Sequence, residues 1–475
     1  MSTTLGTIEK VTPQTDLLRF DSLHRFISWR WFPYVFQVAM LAPLILLTIL
    51  GWGQLTPSGV PDKLYAKANL VNLAIWGLFW PGLVWVTVLF GRVWCMVCPL
   101  ELVSNVSERI GRHWGISQRA LGSWLRAGWV ILLFYATLQF LVAGVSLHRV
   151  PAYTAFFLLG LIFLAVLTGL FLRDRAFCRG FCPLALLLKI YGRGGALAVR
   201  SAADGVCQRC SEKHCVAASN RYHPDARSCP SLLNPAKLSD SQDCLLCTQC
   251  IKVCQPNNMQ LLVRPPYARS DVRTALPVWP VTLFVMIASG FVTSELASEW
   301  PRATAVFQSP AEWATHVLGI EKLAGWIEGV WRLLVFPLLL WLPLGLLVMV
   351  FGGARRLSEA WSRIALPLAI VISAGHMAKG LAKIVSWVGF LPIAVREPDG
   401  IRTSFAMAAQ EMSSPHSLLP METVSVLALT VLGVAVVLAV REARLIDREG
   451  LIARALPVCL VAALFGFVIH GWAFQ

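Results

Sequence analysis

Nine apolar runs, each close to the length that spans a bilayer's hydrocarbon core, leave this 475-residue chain little choice of environment. They cover about 31–51, 71–90, 128–147, 152–172, 276–294, 331–351, 364–391, 421–440 and 455–471. A mean hydropathy of +0.64 with 14% charged residues excludes a water-soluble globule. Helices satisfy their own backbone groups in lipid, so the expected fold is an all-α polytopic membrane protein of about nine transmembrane helices. The first 30 residues are polar and mixed in charge, without a short apolar core and a small-residue cleavage site. The first run is therefore expected to stay as an anchor.

Basic residues orient the runs. With the N-terminus inside and the runs alternating, inside segments hold 31 of the 41 Lys and Arg, and Lys379 and Lys383 fall within a run. The positive-inside rule then makes the N-terminus and the long 173–275 segment cytoplasmic. The formal charge of +15 is mostly this asymmetry plus attraction to anionic headgroups. Membrane lipid is the expected partner; no basic–aromatic motif points to nucleic acid. The chain divides into a tail (1–30), a four-helix membrane domain (31–199), a cytoplasmic insert (200–265) and a C-terminal membrane domain of about five helices (266–475).

The insert holds eight of the thirteen cysteines. Cys244, Cys247, Cys250 and Cys254 form a C-x2-C-x2-C-x3-C run, the spacing of a bacterial-type [4Fe–4S] ferredoxin, whose fourth cysteine serves the other cluster of a pair. Cys229 with Cys244, Cys247 and Cys250 is expected to hold one cluster. Cys207, Cys210, Cys215 and Cys254 are expected to hold the second. Zinc knuckles separate their cysteine pairs by longer loops, and a disulfide framework needs an oxidising compartment. The insert is therefore read as a small ferredoxin-like unit with two [4Fe–4S] clusters.

Two further pairs sit at the inner ends of apolar runs, in GRVWCMVCPLE (Cys95, Cys98) and RDRAFCRGFCPLA (Cys178, Cys182). Each ends in Cys-Pro, and proline disfavours helix at the residue before it, so a helix should stop or kink at each thiol. The two motifs form a weak internal repeat that is expected to bring four thiols together at one depth. Soft thiolates suit a further cluster or Cu(I), a dithiol couple is a second reading, and small buried residues a third. Arg92 and Arg175 beside them favour thiolate. The loop after Cys98 is expected to form an amphipathic helix on the inner surface, and residues 311–334 an interfacial helix on the outer one.

One apolar run carries GHMAKGLAK, which places His376, Lys379 and Lys383 on one helix face. Ionisable groups at membrane depth face an interior or a cavity. His376 and Lys379 are candidates for a quinone pocket, and His376 with His470 for a haem b site.

GRVWCMVCP, FCRGFCP and the C-x2-C-x2-C-x3-C run together resemble the membrane polyferredoxins of the NapH type, with NosR and CcoG as relatives, over roughly residues 30–290. The resemblance implies a bacterial inner-membrane protein with two [4Fe–4S] clusters and Cys-Pro motifs facing the cytoplasm. It also implies electron exchange between the quinone pool or a cytoplasmic donor and a redox partner such as a cytochrome or a periplasmic reductase. The family's paired motif is C-x3-CP; Cys178 and Cys182 match it, while Cys95 and Cys98 stand one residue closer. The expected function is an electron-transfer component of an oxidoreductase system. The alternatives are a maturation factor reducing copper or a disulfide at the Cys-Pro pairs, and a cluster-regulated sensor or transporter.

Overall fold

A computed structural model describes residues 14–268, 276–446 and 450–474. The first membrane helices are α2 (Tyr34–Leu50) and α3 (Leu70–Phe90), preceded by a short helix α1 (Asp21–Ser28). Next come α4 (Pro99–His113), α5 (Trp129–Gly144), α6 (Pro151–Phe171) and the short α7 (Ala185–Tyr191). The C-terminal half contains α8 (Trp279–Ala297), α9 (Pro301–Leu318), α10 (Glu321–Gly352), α11 (Leu357–Trp387), α12 (Met421–Ile446) and α13 (Leu451–Gly471). Among the described residues seven helices are long and apolar enough to cross a membrane. α2 and α5 are apolar but have 17 and 16 residues, about 24–26 Å of helix and short of the ~30 Å hydrocarbon core.

The C-terminal half is arranged around α11, whose most apolar window is 94% buried. It packs against α3, α8, α10, α12 and α13. Gly, Ala and Ser recur along it (Ser373, Ala374, Gly375, Ala378, Gly380), which lets neighbours approach closely where lipid supplies no hydrophobic drive. At the insert-bearing end a buried ion pair joins Arg193 to Glu442 of α12, with the second guanidinium nitrogen 2.8 Å from the carboxylate and 3.2 Å from the Leu366 carbonyl.

The chain is mostly helical, and a small sheet accompanies the insert: β1 (Thr15–Asp16), β2 (Leu197–Ser201) and β3 (Met259–Val263) are antiparallel in the order β1-β3-β2. Leu197 pairs with Val263 and Ser201 with Met259, so the two strands close the insert at its neck. The N-terminal segment, described from residue 14, covers the insert instead of trailing from it. Ile27 and Phe32 pack with Val199, Ile251 and Leu261, and the Lys252 ammonium donates to the Trp29 carbonyl at 2.7 Å.

α4 is amphipathic but inverted relative to a surface helix. Glu101, Ser104, Asn105 and Glu108 are buried while Val106 and Ile110 are exposed. Its polar side faces α6 and the insert. The expected interfacial helix over 311–334 is broken as well. Gly319, at φ +62°, ends α9, a backbone position that glycine occupies without a Cβ penalty.

Where the chain leaves α7 it crosses the end of α3 backbone to backbone. A Cβ on Gly195 would stand 2.6 Å from the Phe90 carbonyl carbon. Gly195→Ala should force the two strands of chain apart at the thiol-bearing end of α3, costing about 1–3 kcal/mol. A lower melting midpoint of the purified variant checks this, and an unchanged midpoint contradicts it.

Candidate functional site: three sets of thiols

The two Cys-Pro motifs have the same local geometry. Trp94–Val97 is a single helical turn, Cys98 is extended (ψ 124°), and Pro99 opens α4. Phe177–Phe181 is a π turn, Cys182 is extended (ψ 117°), and Pro183 leads into α7. Proline explains both: it forbids helix at the preceding cysteine and is preorganised for the first helical turn. The unequal spacings are reconciled by the turn type. The first motif winds four residues in an α turn and the second five in a π turn, closed by Cys182 N–H to the Phe177 carbonyl at 2.8 Å. The extra residue is taken up by the wider turn.

The four thiols share one cavity of about 280 Å³, walled by apolar side chains of α2, α3 and α6. Burial pushes the Cys98 thiol well up, and Cys178, Cys182 and Cys95 raise it further; Cys182 is pushed up to about 12 by burial and then by Cys178. Arg175 works in the opposite direction on Cys178, whose sulfur lies 3.6 Å from its guanidinium. Bare thiols in such a place stay protonated, so the set suits a positively charged metal centre.

In the insert the eight thiols fall into two sets. Burial raises Cys215, and so do Cys254, Cys207 and Cys210; these four line a cavity of about 510 Å³. Burial likewise raises Cys250, with Cys247, Cys244 and Cys229 adding to it. The sets adjoin through the Cys229 N–H, which donates to the Cys215 carbonyl at 2.8 Å. Asn258 donates its backbone N–H to Cys254 and its amide to Cys207, both at 3.2 Å. Hydrogen bonds to sulfur of this kind tune iron–sulfur centres.

All twelve of these thiols are free. Among the described residues no three His, Cys, Asp or Glu side chains close in on a single metal ion. A cubane asks for something else, because each thiolate binds a different iron. The donor chemistry of every set, four cysteines, fits a [4Fe–4S] cluster.

A buried ionic network binds the insert to the membrane domain. Glu101, three residues after Cys98, meets Arg175 at 3.1 Å and Arg227 of the insert at 2.7 Å. Gln37 of α2 donates to the same carboxylate at 2.6 Å and to the Met96 carbonyl at 2.9 Å, and Arg227 also donates to Asn105 at 3.0 Å. Burial alone would raise the Glu101 carboxyl, but Arg175 and Arg227 outweigh it and hold it down to about 2. Glu108, one face further along α4, accepts from the Asp174 N–H at 2.8 Å and the Tyr222 hydroxyl at 2.6 Å. Arg175 lies against Cys178 and, through Glu101, is joined to Arg227 of the insert. None of Gln37, Glu101, Glu108 or Arg227 stood out in the sequence. The usable signals were a lone amide in an apolar run and an acid directly after Cys-Pro-Leu.

His376 and Lys379 are buried, but neither is available as expected. The Trp80 indole donates to His376 Nε2 at 3.2 Å, and the Tyr191 hydroxyl lies 3.5 Å from Nδ1. Both ring nitrogens have partners. The adjacent cavity is about 30 Å³, room for about one water and far below the several hundred Å³ of an organic ligand site. Lys379 is paired with Glu299 at 2.5 Å and Glu295 at 3.7 Å. His470 is exposed and stacks on Phe474 at 5.1 Å. The residues do not fit an axial haem pair; His376 instead ties α3, α7 and α11 together. Lys383 lies over the Trp387 ring at 4.8 Å.

Residues 73–117 and 154–200 match the family model of a 4Fe-4S binding domain. The matched segments contain Cys95, Cys98, Cys178 and Cys182 and none of the insert cysteines. The match supports a ferredoxin-type iron–sulfur protein and 4Fe–4S binding. No curated protein matches the chain, and no solved structure does.

Because the folded Glu101 carboxyl titrates below an unfolded one near ~4.3, its network stabilises the fold above that pH and is lost only as pH falls toward about 2. Glu101→Ala should leave two buried guanidiniums uncompensated and cost about 3–5 kcal/mol. Limited proteolysis should then cut the insert of the variant at neutral pH, while the wild-type insert stays protected down to about pH 4. Equal protection of the two proteins at neutral pH would contradict this.

Proposed function

We propose that this chain is a membrane-bound iron–sulfur electron-transfer protein that relays electrons between a cytoplasmic or quinone donor and a membrane or periplasmic redox partner. The observation that carries the proposal is the grouping of twelve thiols in three four-cysteine sets, two adjoining in the insert at Cys229 and Cys215 and the third tied to the insert through Arg175, Glu101 and Arg227. In this reading Cys207, Cys210, Cys215 and Cys254 hold the outermost cluster of the insert. Cys229, Cys244, Cys247 and Cys250 hold the next, and Cys95, Cys98, Cys178 and Cys182 hold a third at the membrane. Bound clusters would supply one-electron storage at each set, and the protein supplies spacing, burial and potential. Asn258 donates to sulfur at the first set, and the Arg175 charge favours the reduced, more negative state of the other two.

The chain would cross a bacterial inner membrane nine times, α2 and α5 included, with the insert in the cytoplasm. A quinone donor would not dock beside His376, where the cavity is about 30 Å³, and the chamber of about 280 Å³ at the Cys-Pro thiols is the place of the third cluster. The alternative, a maturation factor that reduces copper or a disulfide at the Cys-Pro pairs, would rest on the same four thiols in one cavity.

Anaerobic purification should give about twelve irons per chain with broad absorption near ~400 nm. Replacing Cys95 and Cys178 by serine together should remove about one third of the iron and leave the insert's spectral signature in place. Unchanged iron in that variant would overturn the third site, and stoichiometric zinc without iron would overturn the whole reading.

A further inference from the structure

On the insert-bearing face, where the membrane domain meets the insert, a second cavity of about 420 Å³ adjoins the thiol chamber and shares Arg92, Arg175 and Cys178 with it. Its charged lining is lopsided: Arg92, Arg126, Arg175, Arg179 and Lys189 against the single acid Asp243. Two of the cations are already compensated, Arg175 by Glu101 and Lys189 by Asp243 at 2.7 Å. Arg92, Arg126 and Arg179 have no carboxylate within salt-bridge distance among the described residues. Arg92 is 8% exposed, reaches only the Gln242 carbonyl at 3.4 Å, and leaves its Nε buried without a partner. Arg179 reaches only the Asp174 carbonyl, at 3.3 Å. Three guanidiniums crowded at the edge of a low-dielectric region call for an anion, and their planar forks suit phosphate oxygens.

The remaining walls indicate where the anion comes from. Ile131, Leu186, Val278 and Val281 line the same cavity, and Val278 is an exposed apolar side chain at its edge. A free phosphate would use the arginines and gain nothing from this apolar side. A phospholipid uses both, and basic pockets between membrane helices on this face are where anionic headgroups bind. We propose that this cavity binds an anionic phospholipid of the adjoining leaflet, its phosphate held by Arg92, Arg126 and Arg179 and its acyl chains lying along the apolar wall. The lipid neutralises the arginine cluster and seals the solvent side of Cys178. This site does not depend on which centre the thiols hold.

Native mass spectrometry of the delipidated full-length protein, titrated with phosphatidylglycerol or phosphatidylcholine, tests the proposal. The wild type should bind the first lipid about tenfold or more tightly than the second, and an Arg126→Ala, Arg179→Ala double variant should lose that preference. An Arg355→Ala, Arg356→Ala variant, altered on the same membrane face but away from the cavity, should keep it. Arg126 is exposed, so R126A alone cannot unfold the chain, and it should weaken binding by about threefold or more. Equal binding of the two lipids, or full retention of the preference by the double variant, would overturn the proposal. Displacement of phosphatidylglycerol by equimolar inorganic phosphate would overturn it in favour of a free phosphate ligand. Iron content of each variant is read in parallel, so loss of the clusters is seen separately from loss of lipid.

Discussion

The arrangement depends on one buried carboxylate. Glu101 lies directly after a Cys-Pro turn and is held by α2 through Gln37, by the second Cys-Pro motif through Arg175, and by the insert through Arg227. These are the segments that carry or support all three thiol sets. A buried ion pair contributes little net stability over a well-packed apolar alternative, but it fixes geometry because any other pairing leaves a charge uncompensated. The placement of an exposed domain against a membrane domain needs that kind of constraint. Apolar contacts alone would allow the insert to slide on the surface.

Around that anchor the two halves of the protein divide the work. The N-terminal half supplies thiols on helix-ending prolines. The C-terminal half surrounds α11 and reaches back to the thiols through His376, which joins Trp80 of α3 and Tyr191 of α7. The buried Arg193–Glu442 pair performs a similar role at the insert-bearing end. The ionisable residues of α11 therefore read as connections and compensated charges, and the iron–sulfur chemistry is concentrated on the insert-bearing side.

Much of this was legible in the chain. Apolar runs located the long helices, cysteine spacing divided the insert thiols into the two sets the fold brings together, and the Cys-Pro repeat foretold a shared depth for four more. The partners of Glu101 were not legible, because Gln37 and Arg227 lie 64 and 126 residues away from it and nothing local marks them. A π turn that equalises two unequal spacings also leaves no sequence signal. The surroundings of His376 were hidden for a different reason. An intramembrane histidine signals polarity at depth, and whether its ring nitrogens are free depends on Trp80 and Tyr191 from distant segments. The small sheet at the insert's neck was hidden by the short length of its strands.

The central claim is a file of three four-thiol iron–sulfur sites that continues from the insert to the membrane. Redox-poised electron paramagnetic resonance on the anaerobically purified full-length protein tests it most directly. The account predicts three reducible cubane signals, with the membrane centre magnetically coupled to one insert centre across Arg175. Only two signals, both retained in a protein lacking the Cys-Pro cysteines, would contradict it.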